Sequence, residues 1–130
     1  MAQTQVFGFE NLEAYQAARA FRNKVYAMCR QLPDEEKYGA ASQMRRASLS
    51  ITSNIAEGYA RYTWQDTTRL FHVARGSVAE LVDQLGLCLD MAYLSESTVE
   101  ELRRDAVKVA QLINGYIRYL QARKGRGPKD

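Results

Sequence analysis

The sequence predicts an all-α protein, an up-down-up-down four-helix bundle, on three observations. Apolar residues recur every three or four positions through four long segments, which is the spacing of one helix face. The chain has only two prolines, Pro33 and Pro128, so little interrupts those segments. The links between the segments are short, as in a bundle of antiparallel neighbours. The chain has 130 residues, which is enough for one domain with one core.

The first two helices are separated by a turn that follows Pro33. Asn11 is placed to cap the first helix, and Pro33 ends it because proline disfavours the α conformation in the residue before it. The second helix consists mostly of small and polar residues, many of them weaker helix formers than alanine, so packing on more than one side must hold it. Gly58 is placed to close this helix.

The third and fourth helices carry recognisable start signals. Thr63 followed by Asp66 resembles a capping box, and Ser97 with Glu100 forms the standard version. Together with the first two segments, these signals predict helices at residues 11–32, 40–58, 64–92 and 98–121. The corresponding division is an N-terminal arm at 1–9, the bundle at 10–122 and a basic C-terminal tail at 123–130.

Polar residues in the second helix have two interpretations. Asn54 lies beside the apolar face, and Glu57 precedes Arg61 by four positions, the order that favours an intrahelical pair. They either form a solvated face or fix the register of a helix interface. Gly76 and Gly86 cost the third helix about 1 kcal/mol each relative to alanine, which a close backbone approach would explain. The candidate interface or register residues are Ser50, Asn54, Glu57, Gly76 and Gly86.

Helices two and three carry apolar or small residues around more than one face, which a symmetric oligomer would bury. The mild basicity of the chain, with a net charge of +3, permits an anionic partner without requiring one. The start of the chain has no secretory signal and no segment is apolar enough to span a membrane, so we expect a cytoplasmic protein without a membrane partner. Cys29 and Cys88 fall in apolar helical patterns and are expected to be buried thiols.

A family resemblance rests on the run QMRRASLSITSNIAEGYAR, with FENLEAYQAA before it and DTTRLFHVARGSVAEL and LINGYIRYL after it. These segments resemble the small four-helix-bundle family encoded in intervening sequences of bacterial 23S ribosomal RNA genes, also called the S23 ribosomal protein family. The resemblance covers nearly the whole chain and implies assembly into pentameric rings. The family includes basic accessory proteins of diversity-generating retroelements, which bind nucleic acid and a reverse transcriptase. Most members have no established biochemical activity.

The sequence offers no recognised catalytic pattern, so we predict a non-enzyme without cofactor or metal. His72 is the one histidine, which excludes a multi-histidine metal site. Arg69 precedes it by only three positions, closer than in the helical-bundle ribonucleases, and His72 is therefore expected to be a structural or surface residue. An unrecognised enzyme with a site between subunits is a third, weaker hypothesis.

Binding is what remains, and it has two interpretations. Arginine can contact phosphates and stack on bases, and Tyr59, Tyr62 and Trp64 offer stacking platforms. Alternatively, the aromatic residues pack the end of the bundle, the arginines pair with acids of neighbouring subunits, and the tail only aids solubility. The first interpretation predicts an oligomer that binds RNA or DNA without sequence specificity, and the second a structural or protein-interaction module. The candidate nucleic-acid-binding residues are Arg45, Arg46, Arg61, Arg69, Arg75, Arg123, Lys124 and Arg126.

Overall fold

Four α-helices make up the bundle, in the order that the sequence predicts. The computed structural model describes residues 7–124. A short 3₁₀ helix precedes each of the first two α-helices, at Gly8–Asn11 and at Asp34–Glu36. The α-helices are α1 (Glu13–Cys29), α2 (Ala40–Tyr59), α3 (Trp64–Asp90) and α4 (Glu96–Gln121).

Consecutive helices run antiparallel. Between α2 and α3, the Thr67 hydroxyl donates to the Gly58 carbonyl at 2.7 Å, and Cys88 Sγ lies 3.7 Å from Met44 Sδ. The start of α3 therefore lies beside the end of α2, and the end of α3 lies beside the start of α2. Helix α1 packs against both α2 and α4, which closes the arrangement. The predicted all-α, up-down-up-down four-helix bundle is confirmed.

The core lies along the common axis of the four helices, where their apolar stripes meet. Large aliphatic and aromatic side chains interdigitate there, and each helix contributes to them at steps of three or four residues. The largest fully buried side chains are Phe21, Phe71, Met44, Ile51, Ile55, Leu81, Leu85, Ile113, Leu120, Val25, Val99 and Val109.

Helix α1 is shorter than predicted at both ends. It begins after Leu12, and the predicted cap Asn11 instead closes the preceding 3₁₀ helix; no side chain caps α1. It ends at Cys29, because the Gln31 and Leu32 amides bond to carbonyls three residues back, which tightens the last turn before Pro33. The prediction of a helix to residue 32 was therefore wrong by one turn.

Gly58 is a packing residue and not the end of α2, which continues through Tyr59. A Cβ atom at Gly58 would lie 3.0 Å from Leu70 Cβ and 3.2 Å from Phe71 Cδ1. The absence of a side chain therefore lets α2 and α3 approach closely at this point.

The turn between α3 and α4 differs from the prediction on both sides. Helix α3 stops at Asp90, since Ala92 has a left-handed φ of 57° and cannot continue a right-handed helix. Helix α4 begins at Glu96 because Ser95, and not Ser97, is the cap: its hydroxyl accepts from the Thr98 amide at 3.2 Å.

The predicted cap at the start of α3 is confirmed. The Thr63 hydroxyl accepts from the Asp66 amide at 3.1 Å. Within the chain, no close approach explains Gly76 and Gly86, because apart from the local backbone of α3 no atom lies within 4 Å of a Cβ built at either residue. Both glycines therefore face open space on the outside of α3.

The N-terminal segment packs beside the first helix from Phe9 onward. The Phe9 ring meets the Tyr15 ring edge-on with centroids 4.9 Å apart, while Phe7 is largely exposed. The rest of the predicted arm, residues 1–6, and the rest of the predicted tail, residues 125–130, lie outside the described residues. Across residues 7–124, every helix is too short or too polar to traverse a lipid bilayer.

Candidate nucleic-acid interface

One groove gathers polar and basic side chains from the start of α3 and the end of α4. The residues that α3 contributes recur at helical spacing, Gln121 is the last residue of α4, and Lys124 lies three positions after that helix ends. The groove has a volume of about 480 Å³. We call it the α3–α4 groove, and its lining residues are Gln65, Asp66, Thr68, Arg69, His72, Gln121 and Lys124.

The charged residues of the α3–α4 groove favour an anion. Arg69 and Lys124 are both exposed cations, and Asp66 is the one carboxylate in the lining. Asp66 lies in the first turn of α3, where the helix dipole already stabilises its negative charge. The two glutamine amides and the imidazole can donate hydrogen bonds to oxygen atoms of a ligand. The Thr68 hydroxyl instead donates to the Trp64 carbonyl at 2.8 Å within α3.

Arg75 holds His72 in a defined state beside the groove. Its Nη2 lies 2.9 Å from His72 Nδ1, and its Nη1 donates to Asn114 Oδ1 at 2.9 Å. Because a guanidinium can only donate, Nδ1 must accept, and the neutral imidazole carries its hydrogen on Nε2. Through Arg75, the imidazole is thus attached to α4 and offers one N–H donor.

Arg123 packs on aromatic rings next to the groove and is not part of a free tail. Its guanidinium carbon lies 4.5 Å from the Tyr119 ring centroid and 5.6 Å from that of Trp64. The Trp64 and Tyr119 rings meet edge-on at 6.2 Å. This geometry supports the interpretation that Trp64 packs the end of the bundle, whereas Tyr62 is 70% exposed.

The other predicted arginines do not join this surface. Arg45 and Arg46 lie in the first turns of α2, at the opposite end of the bundle from the groove. Arg61 forms the predicted i, i+4 salt bridge with Glu57. Arg126 lies outside the described residues. Among the described members of the predicted set, Arg69 and Lys124 line the groove, and Arg75 and Arg123 lie beside it.

Both cysteines are buried thiols, as predicted. Burial raises the pKa of Cys88 to about 11. It also raises the pKa of Cys29, against the opposing effect of the nearby Arg45 charge. Neither sulfur is therefore a ready nucleophile at neutral pH. Within residues 7–124, no three acidic, cysteine or histidine side chains group in a way that could hold a metal ion.

Asn54 connects to α3 through a serine pair. Its Nδ2 donates to the Ser50 carbonyl at 2.8 Å and to the Ser50 hydroxyl at 3.0 Å. The Ser50 hydroxyl in turn lies 2.9 Å from that of Ser77 on α3. Asn54 therefore bonds within its own helix, and Ser50 carries the link between helices.

Several large hydrophobic side chains on the outside of α2 and α3 are at least a third exposed. Gly76 and Gly86 lie on α3 as well. We call these side chains the exposed apolar residues of α2 and α3, although Met91 directly follows α3. They are Leu49, Val73, Leu87, Leu89 and Met91.

Sequence reasoning missed the part that His72 plays in the groove. The spacing of Arg69 and His72, which speaks against a ribonuclease motif, is one helical turn and therefore puts both on the same face of α3. That signal was present in the sequence. No local sequence pattern could predict that Gln121 of α4 lines the groove or that Arg75 bonds to Asn114. Both contacts depend on which helices become neighbours.

The fold and the groove define a small antiparallel four-helix-bundle protein. Residues 10–115 match the family described as 23S rRNA-intervening sequence protein, and the chain therefore belongs to that family. This confirms the resemblance seen in the sequence.

A crystal structure of a protein of unknown function from the S23 ribosomal protein family of Bacteroides thetaiotaomicron is similar in fold. It has a TM-score of 0.76 and 20% identity, and the match covers 81% of this chain and 95% of that one. No curated protein matches the chain.

Proposed function

We propose that the chain assembles with copies of itself and binds nucleic acid through charge, with little sequence specificity, and that it is not an enzyme. The observation that carries the proposal is the α3–α4 groove, in which Arg69 and Lys124 face a shared space with one opposing carboxylate. Arginine and lysine are the residues that contact phosphates, and such contacts give affinity without reading sequence.

Self-assembly is supported by the exposed apolar residues of α2 and α3. Val73 is 44% exposed and Met91 is 56% exposed, although a single bundle gains nothing from large apolar side chains in water. A second copy of the chain is the simplest partner to cover these side chains, because every subunit of a closed homo-oligomer uses the same surfaces. The family resemblance suggests a pentamer, in which five copies at +3 each would carry about +15.

The reactive groups of the chain support a binding role over a catalytic one. The imidazole of His72 is hydrogen-bonded to Arg75, and both thiols are buried with a raised pKa. An acid–base pair poised on a shared ligand is the usual feature of a catalytic groove. Here Nδ1 of His72, the nitrogen that could act as a base, already contacts Arg75. The carboxylate of the groove, Asp66, shares it with two cations.

Salt-dependent binding tests the nucleic-acid proposal. A fluorescent single-stranded oligonucleotide should bind tightly at ~50 mM salt and weaken steeply as salt rises, because each phosphate contact releases counterions. Oligonucleotides of different sequence should bind within a few-fold of one another. Failure of the wild-type protein to retain RNA or DNA at ~50 mM salt would reject the proposal and leave the protein-interaction module in its place.

Sedimentation equilibrium tests the assembly proposal separately. The chain has a mass of 14.8 kDa, and we expect a species of several times that mass at micromolar concentration. Replacing Val73 with Asp should shift the population towards the single chain, since it puts a charge in place of one of these exposed apolar side chains. A wild-type protein that sediments only as a single chain would refute assembly, whatever the result with nucleic acid.

A further inference from the structure

We propose that the α3–α4 groove is a phosphate-binding site in which His72 Nε2–H, Arg69 and Lys124 act together as donors. The inference deepens the proposed nucleic-acid binding, because it names the residues and the ligand group. The chemistry is that of a phosphate, either a phosphodiester of the chain or a terminal phosphomonoester.

The contact with Arg75 orients the imidazole of His72. Arg75 Nη2 is 2.9 Å from His72 Nδ1 and can only donate, so Nδ1 is occupied as an acceptor. The hydrogen of the neutral ring is then on Nε2, and His72 is one of the residues that line the groove. The ring is thereby held as a donor, which suits an anion and does not suit a cation.

The cations of the groove lie on two sides of it. Arg69 comes one helical turn before His72 on the same face of α3, while Lys124 lies in the turn that follows α4. Donors from α3 and from the turn after α4 thus line one space. Phosphate oxygens accept several hydrogen bonds at once, and bonds from cationic donors to phosphate are the stronger kind.

The groove also holds one negative charge, which limits where a phosphate can lie. Asp66 also lines the groove and disfavours an anion placed next to it. Its main-chain amide is bonded to Thr63, at the very start of α3, whereas Arg69 and His72 follow one and two turns later. We therefore place the phosphate towards His72, with Asp66 at the edge of the site.

The composition of the chain provides a direct test. It contains one histidine, so the imidazole signals in an NMR spectrum belong to His72 alone. Inorganic phosphate is titrated against chloride at constant pH and ionic strength. We expect a saturable change in the His72 ring signals with phosphate and not with chloride.

Variants separate a defined site from general charge. Arg69→Gln and Lys124→Gln each remove one cation from the groove, and Arg19→Gln removes the same charge from an exposed position on α1. The two groove variants should weaken phosphate and oligonucleotide binding about threefold to tenfold, and the α1 variant less than about twofold. These are exposed side chains, and the helical circular dichroism of all three variants should equal that of the wild type.

The outcomes keep the two proposals distinct. Equal losses in the groove and α1 variants, or no phosphate-specific change at His72, would overturn the site while leaving charge-driven binding of nucleic acid intact. A phosphate response at His72 without oligonucleotide binding would reject the proposed function and retain the site. With both present, oligonucleotides with and without a 5′-phosphate assign the source: a preference for the former indicates the terminal group, and equal affinity indicates the backbone.

Discussion

Replacing Gly58 with alanine should destabilise the bundle, although alanine is the better helix former. The new Cβ would lie 3.0 Å from Leu70 Cβ and 3.2–3.3 Å from two carbons of the Phe71 ring. Phe71 is fully buried and cannot rotate away, and Leu70 Cβ moves only with its backbone. Overpacking of this kind costs roughly 1–3 kcal/mol.

The gain in helix propensity opposes this cost. Alanine is about 1 kcal/mol more favourable than glycine in a helix interior. The net effect of Gly58→Ala should therefore be a loss of about 1 kcal/mol in the free energy of unfolding. A loss of that size is measurable in a small domain, whose total stability is only about 5–15 kcal/mol.

Gly86→Ala is the matched control. Gly86 lies four residues before the end of α3, whereas Gly58 is one residue from the end of α2. Apart from the local backbone of α3, no atom lies within 4 Å of a Cβ built at Gly86. Gly86→Ala should therefore raise the free energy of unfolding by about 0.5–1 kcal/mol. The propensity gain at Gly58 is at most as large, so the two variants should differ by at least the packing cost of about 1–3 kcal/mol.

Urea denaturation at one subunit concentration measures both variants, with the midpoint and the slope compared to the wild type. If Gly58→Ala gains as much stability as Gly86→Ala, then α2 and α3 do not approach as described and the reasoning is refuted. Gly76→Ala is a third member of the series. A loss of assembly in that variant, without a loss of helix content, would indicate that Gly76 lies in the contact between subunits.

Three further outcomes follow from the turns of the bundle. Thr67→Val should lower the free energy of unfolding by about 1 kcal/mol in the same urea assay, because the buried hydroxyl bonds to the Gly58 carbonyl at 2.7 Å; an unchanged midpoint would contradict it. Ala92→Gly should raise that free energy by about 1 kcal/mol, since φ is 57° there and glycine adopts it without strain; a less stable variant would refute the reasoning. The Ala40 amide and the Tyr93 hydroxyl both bond to Glu36 and hold its pKa below the usual range. The Glu36 carboxylate therefore contributes its full stability above the unfolded-state pKa of about 4.3, and this contribution is lost as pH falls through the lower pKa of the folded state. The stabilities of the wild type and of Glu36→Gln should converge between about pH 5 and 3. A difference that stays constant with pH would count against the bond.

The sequence determined the number, order and approximate extent of the helices. Periodic apolar residues dictate which face of a helix must be covered, and short links between such helices leave an antiparallel bundle as the simplest way to cover all four. The cap at Thr63 and the Glu57–Arg61 pair were predictable as well, because both depend on residues within one turn of each other. The family was predictable from the central run, which the match over residues 10–115 confirmed.

Local pattern failed where several residues competed for the same role. Ser95 and Ser97 can both cap a helix, and in the folded chain Ser95 does so, three residues after the left-handed Ala92. Asn11 was available as a cap but ends the 3₁₀ helix in which Phe9 packs on Tyr15. Propensity alone cannot rank such alternatives.

Only the tertiary structure decided which glycine serves a close approach and which basic residues share a surface. Gly58, Gly76 and Gly86 look alike in sequence, and they differ only in what lies opposite them: Leu70 and Phe71 for the first, open space for the others. Likewise, Arg69 and Lys124 are more than fifty positions apart and line one groove because α3 and α4 run antiparallel. Periodicity determines the inward face of each helix, but the identity of the neighbour comes from the packing of all four helices together.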